Sequence, residues 1–201
     1  MIDIAEQLKA IHRRVEDGDD TVAVLLRRTY DADAADVWDA VTDPDRLRRW
    51  FLPVTGDLRE GGNFQLEGNA GGDILTCEPP KLLRVTFGGE TSVVELRLTE
   101  DGERTAVELE HTVPKEMARS GAGALYVGPG WDGALLGLAL HLAGEDVGDP
   151  VAAAGTREVQ EFNLGSIDAW AAAVLASGSA TAADLEAAVT TAKAQYAPDL
   201  T

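Results

Sequence analysis

The side chain with the greatest scope for chemistry is His111, in the segment RTAVELEHT (residues 104–112). The alternation of apolar and polar residues places His111 on the same face as Val107 and Leu109, and we expect that face to be buried. A buried imidazole needs a hydrogen-bond partner, so His111 could contact a ligand or act as a general base. The alternative is a structural histidine at a strand end, satisfied by the backbone or by water.

Two adjacent aromatic residues raise a second question. Trp50 and Phe51 follow a short basic stretch in the segment TDPDRLRRWFLP (42–53). Large apolar side chains are costly to leave in water, so both should face either a packed core or a cavity that holds another molecule. Both alternatives stay open from these residues.

Other patterns that could carry chemistry are missing from the sequence. Cys77 is the single cysteine, which excludes an internal disulfide and a cysteine-based zinc cluster. The three histidines lie far apart, and no GxSxG elbow or phosphate-binding loop occurs. Cys77 alternates with Leu75 on one face, and with Glu78 beside it we expect an unreactive thiol. We therefore predict no catalytic residue, no metal and no cofactor.

The chain is strongly acidic. Its 201 residues include 35 acidic and 17 basic side chains, for a formal charge of −18. Such a field repels phosphate backbones and anionic lipid headgroups, so we expect neither a nucleic-acid nor a membrane partner. The longest apolar stretch, 134–143, is too short to span a bilayer, and the charged N-terminus does not resemble a signal peptide. We therefore expect a cytoplasmic protein.

Hydrophobic periodicity predicts the elements that must position these side chains. Apolar residues at positions 4, 8, 11 and 15 have helical spacing, which predicts an N-terminal helix within residues 1–20. A strand over 21–30 follows, and then two short helices that begin at Asp33 and Asp43.

Residues 56–112 predict an antiparallel meander. Short alternating runs are separated by glycine pairs, Pro79-Pro80 and an EDGE turn at intervals of about ten residues. Charged residues such as Arg97 and Glu108 should face water, so the opposite face needs a cover. A helix predicted over 128–144, with Trp131, Leu135, Leu138 and Leu142 at helical spacing on one face, supplies that cover.

A long glycine-rich loop, 112–130, is expected before the covering helix. Two antiparallel helices are expected after it, one ending near Gly178 and the other beginning at Thr181. They could pack on the first domain or on a second subunit. The chain thus divides into an N-terminal helix (1–20), a main domain (21–145) and a helical extension (146–201).

Four segments, in this order, resemble a known family. They are RRTYDADAADVWDAVTDPDRLRRWF, GDLREGGNFQL, CEPPKLLRVTF and GWDGALLGLALHLAG. They are similar to the bacterial branch of the family named after the activator of heat-shock protein ATPase, within the START-like or SRPBCC superfamily. The resemblance covers about residues 21–145. It implies an α+β helix-grip fold, in which a curved antiparallel sheet grips a long C-terminal helix.

The resemblance also implies an apolar cavity between the sheet and the long helix. On this basis we expect the ligand-binding residues to be Trp50, Phe51, Phe64, Phe87, His111, Tyr126, Trp131, Leu135 and Leu138. The leading hypothesis is non-catalytic binding of a small hydrophobic or aromatic ligand, for instance to sequester or neutralise a natural product. The alternatives are a protein–protein accessory module that acts on a chaperone ATPase, and a cyclase or hydrolase that uses His111. The protein could be a monomer or a homodimer.

Overall fold

The computed structural model describes residues 2–146 and 148–200. The strands are β1 (His12–Asp17), β2 (Thr21–Tyr30), β3 (Val54–Gly56), β4 (Asn63–Leu66), β5 (Gly71–Glu78), β6 (Leu82–Thr86), β7 (Val93–Asp101) and β8 (Arg104–Pro114). The α-helices are α1 (Ile4–Lys9), α2 (Ala34–Thr42), α3 (Pro44–Leu47), α4 (Lys115–Ala118), α5 (Ala124–Leu142), α6 (Pro150–Ala154), α7 (Arg157–Ser177) and α8 (Ala182–Tyr196). Together they form the predicted α+β helix-grip fold.

The strands form one antiparallel sheet in the order β1-β2-β8-β7-β6-β5-β4-β3. Strand β8 lies between β2 and β7, with His111 opposite Val24 and Val94. Residues opposite each other in a ladder share a face, so these three side chains lie on the same side of the sheet. The predicted alternation along β8 is confirmed, because Val107 is buried and Glu108 is exposed.

Helix α5 runs across the inner face of the sheet as the predicted cover. The buried Tyr30 hydroxyl of β2 donates to the carbonyl oxygen of Leu135 at 3.0 Å, which ties the helix to the sheet. The helix begins at Ala124, and the expected loop over 112–130 is wrong. Strand β8, helix α4 and a 3-10 turn occupy that segment. Gly128 lies inside helix α5. A glycine is needed at that position because a Cβ there would overlap the Trp170 ring of α7.

The helix boundaries predicted at Asp33, Asp43, Gly178 and Thr181 are confirmed. The Asp33 and Asp43 side chains accept hydrogen bonds from backbone N–H groups three residues later, at 2.8 Å and 3.0 Å. Thr181 and Asp184 form a reciprocal capping box at the start of α8. Gly178 ends α7 with a φ of 66°, a left-handed conformation that favours glycine.

The N-terminal helix predicted within residues 1–20 is only partly present. Helix α1 ends at Lys9, and the following residues form strand β1, which pairs with β2. The apolar positions Ile11 and Val15 are four residues apart, a spacing that puts them on one face of a strand as well as of a helix. In a strand, Arg13 lies between them on the same face, where it forms an ion pair with Asp132 of α5. This ion pair favours the strand.

Helices α7 and α8 form the predicted antiparallel pair. Helix α7 packs against α5 and β1 of the same chain, and α8 packs against α5 and α7. Phe162, Ile167 and Trp170 of α7 are fully buried in this contact. The three-part division of the chain at residues 20 and 145 stays a prediction.

Candidate functional site

An apolar cavity of about 190 Å³ lies between the inner face of the sheet and helix α5. The sheet, the long helix and the short helices border it, because its wall comes from α2, α3, strands β3 to β8 and α5. The lining residues are Val41, Thr42, Leu47, Trp50, Phe51, Val54, Leu58, Phe64, Leu66, Ile74, Cys77, Leu83, Val85, Phe87, Val94, Leu96, Val107, Leu109, Trp131, Ala134, Leu135 and Leu138.

Two aromatic groups lie in the wall. Trp50 and Phe51 stack on each other at the end of α3, with ring centroids 5.5 Å apart. Phe87 lies between Phe64 and Trp131, with centroid separations of 6.3 Å and 5.2 Å. Both aromatic faces and aromatic edges are therefore available to a ring-shaped ligand.

The side-chain N–H and O–H donors of the wall are already used within the protein. The Thr42 hydroxyl donates to the carbonyl oxygen of Trp38 at 2.7 Å. The Trp50 indole N–H donates to the carbonyl oxygen of Ala40 at 3.0 Å. The Trp131 indole N–H donates to His111, and no charged residue belongs to the wall in the described part of the chain. The cavity can therefore select a ligand by shape and apolar contact rather than by ionic pairing.

His111 lies behind this wall, with both ring nitrogens engaged. Its Nδ1 accepts the Trp131 indole proton at 3.0 Å, and its Nε2 lies 2.9 Å from the Ser92 hydroxyl oxygen. An indole nitrogen can only donate, so Nδ1 must be unprotonated and Nε2 must carry the proton. Burial lowers the pKa of His111 to about 4, so the imidazole is neutral near pH 7.

This tautomer argues against the hydrolase alternative. A serine nucleophile needs an unprotonated Nε2 to accept its proton, and in hydrolases a carboxylate on Nδ1 maintains that state. Here Trp131 takes the place of the carboxylate, and the Nε2–H of His111 donates to Ser92. His111 therefore holds Trp131 and Ser92 in place.

The structure places most of the predicted site residues together. Seven of them line the cavity: Trp50, Phe51, Phe64, Phe87, Trp131, Leu135 and Leu138. His111 contacts the cavity wall through the Phe87 and Trp131 rings, with centroids 5.8 Å away in each case. Their role in binding a ligand stays a prediction.

Tyr126 lies outside the cavity wall, contrary to its place in the predicted site. It is five residues before Trp131, about 140° around the helix, and so it faces away from the sheet. Its ring is 41% exposed, and its backbone carbonyl accepts the Tyr196 hydroxyl at 2.6 Å.

Sequence reasoning missed Cys77 because a bulge interrupts β5. The pairing of β5 with β6 shifts between Ile74 and Thr76. Beyond the bulge the two-residue alternation changes phase, so Ile74 and Cys77 both line the cavity and Leu75 is 40% exposed. The predicted pairing of Cys77 with Leu75 on one face is therefore wrong. The two consecutive glycines at the start of β5 are the one sequence signal for irregular pairing.

The Cys77 thiol is held in its protonated form. Burial raises its pKa, and the nearby Glu60 carboxylate raises it further. Among residues 2–146 and 148–200, no group of three or more potential ligands could hold a metal ion. None of the helices in those two ranges is long and apolar enough to cross a membrane.

Solved structures similar to this chain include CalU16 from Micromonospora echinospora. Its crystal structure is 42% identical, covers 82% of this chain and 96% of CalU16, and has a TM-score of 0.65. Its solution NMR structure is 41% identical, covers 84% of this chain and 94% of CalU16, and has a TM-score of 0.68.

A second similar structure is DynU16, described as a protein in the dynemicin biosynthetic locus. It is 26% identical, with a TM-score of 0.51, and the match covers 64% of this chain and 49% of DynU16. Comparison with curated proteins gave no match. A family profile described as "Activator of Hsp90 ATPase homolog 1-like protein" matches residues 31–143. The chain therefore belongs to the family of Activator of Hsp90 ATPase homolog 1-like proteins.

Proposed function

We propose that the protein binds a small, uncharged, apolar or aromatic molecule in the cavity between the sheet and α5, without catalysing a reaction. The observation that carries this proposal is an apolar cavity in which the side-chain N–H and O–H donors of the wall are already bonded within the protein. Unfilled apolar volume destabilises the fold, because the side chains around it lose packing contacts. A ligand that fills the cavity would restore those contacts.

The cavity volume limits the size of the ligand. An engineered apolar cavity of about 150 Å³ accommodates benzene, whereas drug-sized ligands occupy pockets of roughly 300–1,000 Å³. A volume of about 190 Å³ therefore suits one ring or two small fused rings. Leu58 lines the cavity and is 40% exposed, so we place the mouth at the segment between β3 and β4. A larger ligand would require this segment to move.

A role in sequestering or neutralising a natural product is the more specific form of the proposal. Its support is the similarity to DynU16, a protein in the dynemicin biosynthetic locus. The cavity also favours ligand binding over the protein–protein accessory alternative, which predicts a fully packed interior. Location in the cytoplasm and a monomeric or homodimeric state remain part of the proposal.

The proposal is tested by titrating the protein with naphthalene and indole while following tryptophan fluorescence. Trp50 and Trp131 line the cavity, so a bound ring should quench or shift their emission. The Ala134→Leu variant adds a side chain that projects into the cavity, and we expect it to weaken binding at least about tenfold. Ala172→Leu makes the same chemical change on an exposed face of α7 and should bind normally.

Cys77 supplies an independent readout of the same event. It is the only cysteine and lines the cavity, so a bound ligand should slow its alkylation by iodoacetamide. If neither probe alters fluorescence or the alkylation rate, and native mass spectrometry detects no bound small molecule, the cavity is not a binding site for this class of ligand.

A further inference from the structure

A second group of buried polar side chains lies on the other side of α5, away from the cavity. Arg13 of β1 and Arg28 of β2 lie on the inner face of the sheet, and Asp132 of α5 faces them. The Arg13 and Asp132 side chains are 7% and 0% exposed, and Arg28 is 7% exposed. This is a charged cluster inside the protein.

One carboxylate oxygen of Asp132 accepts hydrogen bonds from three neighbouring side chains. Its Oδ2 accepts bonds from the Arg13 Nε at 2.7 Å, the Trp170 indole N–H at 3.1 Å and the Ser166 hydroxyl. Its Oδ1 and the Nη2 of Arg13 are buried without a partner. Arginine–carboxylate pairs are often bidentate, so a small movement would join these two atoms. Burial raises the pKa of the Asp132 carboxyl, while the Arg13 charge and the three hydrogen bonds favour its ionised form. In that form, the charge of Asp132 is matched by that of Arg13.

Within the described residues Arg28 forms no ion pair of its own, and the only carboxylate that stabilises its charge is Asp132, which is already paired with Arg13. Its Nη2 donates to the neutral amide oxygen of Gln7 in α1 at 2.6 Å, and its guanidinium carbon lies 5.4 Å from the centre of the Tyr30 ring. Its Nε and Nη1 are buried without a partner among the described residues. Asp132 is the only buried carboxylate in those residues, and Arg13 occupies it.

The cluster therefore holds two cations and one anion. An uncompensated buried charge is strongly unfavourable, so a further negative group should be present near Arg28. On the Gln7 side the site is bordered by α1, a six-residue helix without a buried residue, so we expect a short path to solvent there. We propose that the Nε and Nη1 of Arg28 bind a small monovalent inorganic anion, of which chloride is the simplest, close to Gln7, Arg13 and Tyr30.

The test compares melting temperatures as chloride replaces gluconate at constant ionic strength, because gluconate is too large for the site. Above the dissociation constant, each tenfold rise in chloride should raise the melting temperature by about 3 to 5 °C. Gln7→Glu places a carboxylate beside Arg28, so this variant should melt higher at low chloride and lose the chloride dependence. The matched control Arg27→Met removes a charge from the exposed face of β2 and should keep the dependence.

A crystal grown with bromide gives a direct readout on the unaltered protein. We expect an anomalous peak within hydrogen-bond distance of Arg28 Nε or Nη1. An equal chloride response in the natural protein and Gln7→Glu would overturn the proposal. So would crystal density that contains water alone at Arg28.

Discussion

Adjacent residues of α5 face two regions of opposite character. Trp131 faces the cavity, where the walls are apolar and about 190 Å³ of volume is unfilled by protein. Asp132 faces the charged cluster, where its Oδ2 receives three hydrogen bonds from β1 and α7. Around the cavity, apolar side chains lose packing contacts because volume is left unfilled. In the charged cluster, buried charges lose their hydration but form directional hydrogen bonds.

The comparison teaches that the helix bordering the cavity on one side is held by directional bonds on its other side. Apolar contacts around an incompletely filled cavity do not fix the rotation of α5 by themselves. The bonds of Asp132 link α5 to the sheet edge and to α7, and so they orient Trp131 towards the cavity. We expect the two regions to respond differently to substitution.

The largest expected effect is on the charged side. Asp132→Ala removes one partner of a buried ion pair and leaves Arg13 without its counter-charge, which should lower the free energy of unfolding by about 3 to 5 kcal/mol. Urea denaturation followed by circular dichroism measures this change. Glu161→Gln, which breaks the exposed Arg157–Glu161 pair, should cost under about 0.5 kcal/mol. Similar losses for the two variants would contradict the comparison.

The second effect concerns His111 and pH. Below pH 6.5 the imidazole of the unfolded chain takes up a proton, whereas the buried folded imidazole stays neutral down to about pH 4. The folded pKa is lowered, so the free energy of unfolding should fall by about 3 kcal/mol as pH drops through this window, and change no further below it.

The contribution of His111 is isolated by comparison with His111→Asn, whose amide oxygen can still accept the Trp131 proton. Carboxylates titrate in both proteins, so the difference between their pH profiles reports the imidazole. Parallel profiles between pH 6.5 and 4 would show that His111 is not buried as a neutral group.

The smallest expected change in stability concerns two glycines of α5, Gly133 and Gly137, which lie one helical turn apart. A Cβ at Gly137 would lie 2.8 Å from the carbonyl oxygen of Trp50, whereas a Cβ at Gly133 would meet nothing within 4 Å. Gly137→Ala should therefore lower the free energy of unfolding by about 1 to 2 kcal/mol and move Trp50 in the cavity wall. Gly133→Ala should raise it by about 0.5 to 1 kcal/mol through helix propensity. Thermal denaturation measures both, and a stabilising Gly137→Ala would show that Trp50 does not rest on α5.

Periodicity predicted much of the fold and of the cavity wall. The alternation in β8 correctly placed Val107, Leu109 and His111, and the spacing of Trp131, Leu135 and Leu138 correctly gave the inner face of α5. Caps at Asp33 and Asp43 were predictable because a short acidic side chain satisfies free N–H groups through local bonds.

The failures arose where distant contacts decide the outcome. Strand β1 at His12–Asp17 depends on pairing with β2 and on the bond from Arg13 to Asp132, 119 residues away. The position of Cys77 depends on a bulge, whose register is set by the partner strand β6. Local periodicity contains neither piece of information, and the volume of a cavity depends on all its walls together.

The order of strands has a consequence for crowded solutions. The two free edges of the sheet are β1 and β3, and an exposed edge can recruit a strand from another molecule. Strand β1 carries exposed Arg14, Glu16 and Asp17 along its length, and β3 is only three residues long. The charged side chains of β1 and the short length of β3 both disfavour the pairing of these edges with strands of a second molecule. The open sheet that surrounds the cavity is thus protected against aggregation through its edges.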